Sequence, residues 1–263
     1  MPTSTIELDG TGATPVSYTD RGAGRAFLLL HGGAGPQSVT SFADTLAAAA
    51  PGRVIVPVHP GFGGTPRPSG LADIPGLAAL YIGLLEELDL AGVTVIGNSI
   101  GGWIAAEMAV AGSARIAGVI LVDAVGILVP GHPVADFFAL TLDQVAELSY
   151  HDPDRFRIDP ASMTADQRAV MAGNRAALAA YAGTEMVDAS LGGRLASVHV
   201  PTLVVWGDSD RIVDPEYGLA FAQAIPRAQF RVLAGTGHVP QLETPAELLA
   251  SVLDFTSAQS AAG

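Results

Sequence analysis

A hydroxyl, a carboxylate and an imidazole stand at the ends of three strand-like passages of this 263-residue chain, where nucleophilic acyl chemistry would need them. The first passage, Val93-Thr94-Val95-Ile96-Gly97-Asn98-Ser99-Ile100-Gly101-Gly102-Trp103-Ile104, reads as a buried strand, a G-x-S-x-G turn and the start of a helix. Such a turn must hold Ser99 in a strained backbone conformation with its hydroxyl exposed. Gly97 and Gly101 are needed where a Cβ would collide with neighbouring elements. Gly102, Ala105 and Ala106 keep the helix slender, and its N-terminus directs backbone donors, the Ile100 N–H among them, toward Ser99. G-x-S-x-G alone recurs by chance, so the strand-to-helix context carries the weight.

The second passage, Leu203-Val204-Val205-Trp206-Gly207-Asp208-Ser209-Asp210, is a strand ending in a carboxylate-bearing loop. Asp208, Asp210 and Asp214 compete as the acid. Asp210 is favoured because W-G-x-x-D sets it just past the strand, facing a histidine, with Asp208 in reserve. In the third, Leu233-Ala234-Gly235-Thr236-Gly237-His238-Val239-Pro240, a glycine-flanked His238 is placed to act as general base. A lone histidine is usually structural, but the order Ser99, Asp210, His238 is the one that sets α/β-hydrolases apart from other triad enzymes.

Upstream, the apolar run 27–30 enters His31-Gly32-Gly33-Ala34-Gly35-Pro36, a donor-rich loop. The N–H groups of Gly33 and Ile100 are the expected oxyanion donors, with Ala34 in reserve, and His31 is expected to anchor the loop rather than act as base. Ala34, Trp103, Phe137, Phe138 and Val239 are assigned to the substrate pocket, although Trp103 also suits a place beneath the turn. Leu142, Met163, Met171 and Tyr181 could line an apolar acyl pocket or pack their own segment, while His132 and His151 lack any metal-ligand pattern and read as solvated or structural.

The elements that must position these residues are also legible. Nearly continuous apolar runs over 26–30, 54–58, 93–96, 119–122, 203–206 and 230–233 predict strands buried on both faces. Helical spacing over 41–50, 77–88, 100–111, 216–224 and 246–255 supplies the crossovers of a mostly parallel sheet. Alternating runs over 5–8 and 15–19, separated by Gly10-Thr11-Gly12, predict an antiparallel hairpin at its edge. Residues 126–197 contain no convincing strand and are expected to form a helical cap, leaving 1–125 and 198–263 as the core. The tail 257–263 is expected to fray.

The H-G-G loop, the G-N-S-I-G-G turn, W-G-D-S-D and G-T-G-H together resemble the α/β-hydrolase superfamily over nearly the whole chain. His59-Pro60-Gly61-Phe62-Gly63-Gly64-Thr65 is similar to a further family loop, with Val58 where the family often has Asp. The resemblance implies an eight-stranded, mostly parallel sheet flanked by helices, a cap over the strand ends and substrate bound between cap and core. It also implies an acyl-enzyme mechanism through Ser99, His238 and Asp210 with no metal or organic cofactor.

A small or medium, largely apolar carboxylic ester is the first substrate expectation. A carbon-carbon bond hydrolase of dienoate or β-diketone ring-fission products is the alternative, because the G-N-S-x-G-G turn also resembles that subgroup. Val239 departs from the aromatic residue common there after the histidine, while Arg155, Arg157, Arg168 and Arg175 leave open its cap arginine. A cofactor-free lyase or perhydrolase, and a ligand receptor without turnover, are further alternatives, the receptor weakened by the complete triad. Composition removes other classes. The net charge is −13 and no basic run exists to neutralise phosphates, so nucleic acid and anionic membranes are poor partners. Cysteines are absent, which excludes disulfides and thiol catalysis. The N-terminus lacks a secretory pattern, and no apolar stretch is long enough to span a bilayer, so a cytoplasmic small-molecule enzyme is the expectation.

Overall fold

Strands form where apolar and β-branched residues run together, and helices form where apolar residues recur every three or four positions between cap and turn signals. In the computed structural model, which describes all residues except Asp9, Ala50, Pro51 and Gly263 and no side chains beyond Gln259, these segments assemble one mixed sheet. The strands are β1 (Thr3–Leu8), β2 (Gly12–Gly22), β3 (Arg25–Leu30), β4 (Gly52–Pro57), β5 (Val93–Asn98), β6 (Ile116–Val122), β7 (Thr202–Gly207) and β8 (Gln229–Leu233). Their spatial order is β1-β2-β4-β3-β5-β6-β7-β8. The β1–β2 and β2–β4 pairs are antiparallel and all others parallel, so the expected hairpin lies at one edge. This is the eight-stranded, mostly parallel, helix-flanked sheet expected from the sequence.

Alternation along each strand divides the core between two faces. Phe27 and Leu29 of β3 pack with Val205 of β7 beneath α1 (Gln37–Ala49) and α10 (Pro245–Ala262), contacting Phe42, Leu46, Leu248 and Phe255. Leu28 and Leu30 face the other way, under α2 (Ile74–Glu87), α3 (Ile100–Ala111) and α8 (Pro215–Ala224), against Tyr81, Ile104 and Phe221. The predicted helix over 41–50 corresponds to α1, with Ala50 itself outside the described residues.

Two expectations need correction. Strand β8 is not buried on both faces, because it closes the sheet as an edge strand: Val232 is exposed and Arg231 pairs with Asp254 across the surface. The tail expected to fray is helical over 257–262, with Gly263 outside the described residues. Its alanine-, serine- and glutamine-rich sequence continues α10 to Ala262, in keeping with the helix propensity of alanine.

Between β6 and β7 the described residues form no strand, apart from an isolated Gly126–Val187 bridge. They form α4 (Leu142–Ser149), α5 (Pro153–Phe156), α6 (Ala165–Ala182) and α7 (Leu191–Arg194), with 3-10 turns at Pro160–Ser162 and Leu195–Ser197. Helices α4 and α6 each begin with a reciprocal capping box, Thr141 with Gln144 and Thr164 with Gln167. Ala177, Leu178, Tyr181 and Leu191 join the main hydrophobic cluster, so the segment shares the core of the sheet. Arg194 fastens its far end, bonding Glu107 of α3 through both terminal nitrogens at 2.6 and 2.7 Å. No helix among the described residues is long and apolar enough to cross a membrane.

Candidate active site

The turn between β5 and α3 holds Ser99 at φ +57°, ψ −119°, a region that costs a non-glycine residue energy and persists where surrounding structure enforces it. The enforcement is visible. The Ser99 N–H donates to the Val122 carbonyl at 3.0 Å, and its carbonyl accepts from the N–H groups of Gly102 and Trp103 at 2.9 and 3.1 Å. A Cβ on Gly97 would lie 2.0 Å from the Gly101 carbonyl oxygen, and one on Gly101 would lie 2.4 Å from that of Leu30. The serine side chain makes no capping bond to the helix it precedes and lines the cavity above the turn.

His238, after β8 and just before the short helix α9 (Pro240–Glu243), lines the same cavity. Its Nδ1 is 2.8 Å from Asp210 Oδ2, and the other Asp210 oxygen accepts from the N–H groups of Ile212 and Val213 at 2.8 and 3.1 Å. With Nδ1 committed to Asp210, Nε2 is the ring nitrogen left to exchange a proton. The two other acids are placed elsewhere. Asp208 accepts from Ser209 Oγ and the Thr236 N–H, while Asp214 caps α8 through the Tyr217 N–H and meets His132 Nδ1 at 2.7 Å. His151 contacts Ser209 Oγ at 2.8 Å. The potential metal-ligand groups among the described residues are Asp123 with Asp210 and His238, and His132 with Asp214 and Glu216. In each, a histidine nitrogen is already bonded to a carboxylate.

Asn98 was not singled out as functional from the sequence, though it lies inside the G-N-S turn. Its Nδ2 donates to the His238 carbonyl at 2.9 Å, and its Oδ1 accepts from Gln241 Nε2 at 3.0 Å, so the residue beside Ser99 ties the serine turn to the histidine loop. Ser149, at the end of α4, accepts the His238 N–H at 2.7 Å, and Glu243 accepts the N–H groups of Gly237 and His151. All but the Gly237–Glu243 bond join segments far apart in sequence and leave no local pattern to read.

Ile100 opens α3, so its N–H is one of the helix-initial donors without an intrahelical acceptor. In the facing loop the Gly35 N–H is committed to the Gly32 carbonyl at 3.1 Å, leaving Gly33 and Ala34, which line the cavity, as the donor candidates. His31 is wholly buried beneath that loop. Its Nε2 accepts from the His59 N–H at 3.2 Å, so Nδ1 carries the proton and donates to the Gly32 carbonyl at 2.8 Å. His59 Nε2 in turn donates to the His31 carbonyl at 2.9 Å, and its Nδ1 accepts from the Tyr81 hydroxyl at 2.5 Å.

Burial pushes His31 down to about 4, partly offset by its bond to Gly32, and burial followed by the proximity of His31 pushes His59 well down. The unfolded chain, with histidine near 6.5, is therefore the better proton binder between about pH 6.5 and 4. Stability is expected to fall as pH drops through that window, by up to about 1.4 kcal/mol per unit for each histidine. Urea unfolding at stepped pH checks the slope. NMR checks the cause, because ring signals of His31 and His59 that titrate near the ordinary histidine value would refute it.

The cavity has a volume of about 390 Å³. Of the expected pocket residues, Ala34, Phe137 and Val239 line it, as do Leu142 and Met171. Trp103 and Phe138 do not. The Trp103 ring packs under Gly126, with Nε1 3.4 Å from Glu107 Oε1, because its position on α3 turns it away from the strand ends. Phe138 stacks edge-on behind Phe137 at 5.6 Å between ring centroids. Met163 is also absent from the lining, and Tyr181 is buried with its hydroxyl donating to the Pro60 carbonyl at 3.0 Å.

Comparison with known proteins is consistent with this geometry. A 2-hydroxy-6-oxo-2,4-heptadienoate hydrolase of Pseudomonas putida is 28% identical, the match covering 94% of this chain and 95% of the relative. Lipase 3 of a Moraxella species is 30% identical over 85% of this chain and 75% of its own length. Among solved structures, a thermophilic esterase from Thermogutta terrifontis superposes with a TM-score of 0.78 at 25% identity, covering 98% of this chain and 99% of the esterase. The profile described as the alpha/beta hydrolase family matches residues 27–252, and with a serine turn, a histidine–aspartate pair and a donor loop gathered at the strand ends, the chain belongs to that family.

Proposed function

We propose that this hydrolase cleaves a small or medium-sized, largely apolar carboxylic ester through an acyl-enzyme on Ser99. The observation that carries the reading is the cavity itself: Ser99, His238, Gly33 and Ala34 line it together, while Leu142, Val145, Phe156, Met171, Leu178 and Met186 make most of the remaining surface apolar. Ser99 Oγ attacks the ester carbonyl as His238 Nε2 takes its proton, and Asp210 holds the imidazole and stabilises its charged form. The N–H groups of Gly33 and Ile100 receive the charge that develops on the carbonyl oxygen. His238 returns the proton to the departing alcohol, then activates a water that releases the acid. Residues 126–197 act as the cap over this site. Labelling by an organophosphonate, peptide mapping and a p-nitrophenyl ester chain-length series test the reading. Absence of both labelling at Ser99 and ester turnover would sink it.

One observation favours carbon-carbon bond hydrolysis as a second reading. Arg175 is the one cation lining the cavity among the described residues. It donates through one terminal nitrogen to the Phe137 and Phe138 carbonyls at 3.1 and 2.6 Å and lies over both rings at 5.1 and 5.2 Å. A guanidinium there suits a substrate carboxylate such as that of a dienoate. Arg175→Gln separates the readings. Turnover of neutral esters should change less than about threefold, whereas kcat/KM for 2-hydroxy-6-oxo-2,4-heptadienoate should fall about a hundredfold if that acid is the true substrate class. Equal effects on both would remove the arginine from the argument.

A further inference from the structure

Asp123, the residue that follows β6, has no part in the mechanism above, yet it sits behind His238. It is completely buried, with a left-handed backbone at φ +45°. Its Oδ1 accepts the Gly207 N–H at 2.8 Å, while Oδ2 is buried with no hydrogen-bond partner. One carboxylate oxygen of Asp123, one of Asp210 and one ring nitrogen of His238 all lie within 4.8 Å of one another. A buried oxygen without a donor is costly, and two ionised carboxylates this close, away from water, repel strongly. Asp210 is poorly placed to be the protonated member, because Oδ1 already holds two N–H groups and Oδ2 holds His238 Nδ1.

We propose that Asp123 is a positioning residue that keeps its proton and donates Oδ2–H to the Asp210 carboxylate, so that one negative charge behind His238 is shared by two carboxyl groups. Burial and the neighbouring charges of Asp210 and Glu243 push Asp123 well above the ordinary carboxylate range, in the same direction, while the Gly207 N–H opposes them. The donated bond removes the penalty of the lone oxygen, fixes the rotamer of Asp210 and moderates its pull on the imidazolium. The assignment rests on reading Asp210 and His238 as the acid–base pair, but its readouts need no turnover.

The test uses the whole protein and two variants. Asp123→Asn keeps an N–H for Asp210 and an oxygen for the Gly207 N–H, whereas Asp123→Ala keeps neither. By NMR, the midpoint of the His238 ring titration should be unchanged in the Asn variant and about one unit higher in the Ala variant, where Asp210 pulls on the ring unmoderated. In the infrared, wild type minus the Asn variant should show, at neutral pH, a protonated-carboxyl stretch that the variant lacks. A midpoint lowered by a unit or more in the Asn variant would mean that Asp123 is ionised, and would overturn the proposal. So would an absent carboxyl band, or a folded Ala variant whose midpoint does not move. Should the Ala variant fail to fold, the Asn variant and the infrared band decide. An unlabelled Ser99 alongside these results would sink the ester reading and leave Asp123 standing.

Discussion

Ser99→Ala is expected to lower kcat on the best p-nitrophenyl ester by about 10⁴- to 10⁶-fold, because no other hydroxyl at the turn can form the acyl-enzyme. The loss should be in kcat rather than in binding, since the apolar walls of the cavity are untouched. His238→Ala should cost about as much, because nucleophile and base act as one unit and the double variant should be little worse than either alone. The two differ in stability. Removing the serine hydroxyl disturbs no bond to the helix it precedes, whereas removing the imidazole leaves buried Asp210 without its partner on Oδ2. Ser99→Ala should therefore melt close to wild type and His238→Ala lower. Rate assays on purified protein with thermal unfolding followed by circular dichroism give both readouts. Residual activity within tenfold of wild type in either variant would end the assignment.

Gly101→Ala is expected to disrupt folding strongly. The added methyl would sit 2.4 Å from the Leu30 carbonyl oxygen and 2.7 Å from that of His31. Both contacts are backbone, at the end of central strand β3, so no flexible side chain can move aside. The overlap must be relieved by shifting α3 away from the sheet, which loosens the packing of Ile104 and Ala105 and moves the Ile100 N–H. A destabilisation of about 3 kcal/mol or more is expected, with soluble expression reduced and the melting temperature lowered by roughly 10 °C. By contrast, Gly112→Ala, past the end of α3, meets no atom within 4 Å and should cost only the strain of a left-handed backbone at φ +69°. Equal melting temperatures for the two would show that the close approach at Gly101 carries no such weight.

The parts of the fold that were legible are those governed by local rules. Continuous apolar strands, and the turn between β5 and α3 with its two close-packed glycines, are written in neighbouring residues. The order of serine, acid and base along the chain is likewise a one-dimensional fact. Misreadings arose where a position in the sheet or a helical rotation decides the outcome. The sequence 230–233 is apolar, but its exposure follows from β8 being the last strand. Trp103 is near Ser99 in sequence, yet the turn of α3 directs it under Gly126.

By itself, the sequence determined an α/β sheet, a tight strand-to-helix turn around Ser99, and the order of Ser99, Asp210 and His238 at strand ends, because each is written in local patterns of neighbouring residues. Tertiary structure alone decided that Asn98 ties the serine turn to the histidine loop, and that Asp123 lies behind Asp210. Those outcomes depend on strand ends brought together by pairing across the sheet, and on a dry interior in which each buried polar atom needs a partner, which for Asn98 lies 140 residues away at His238.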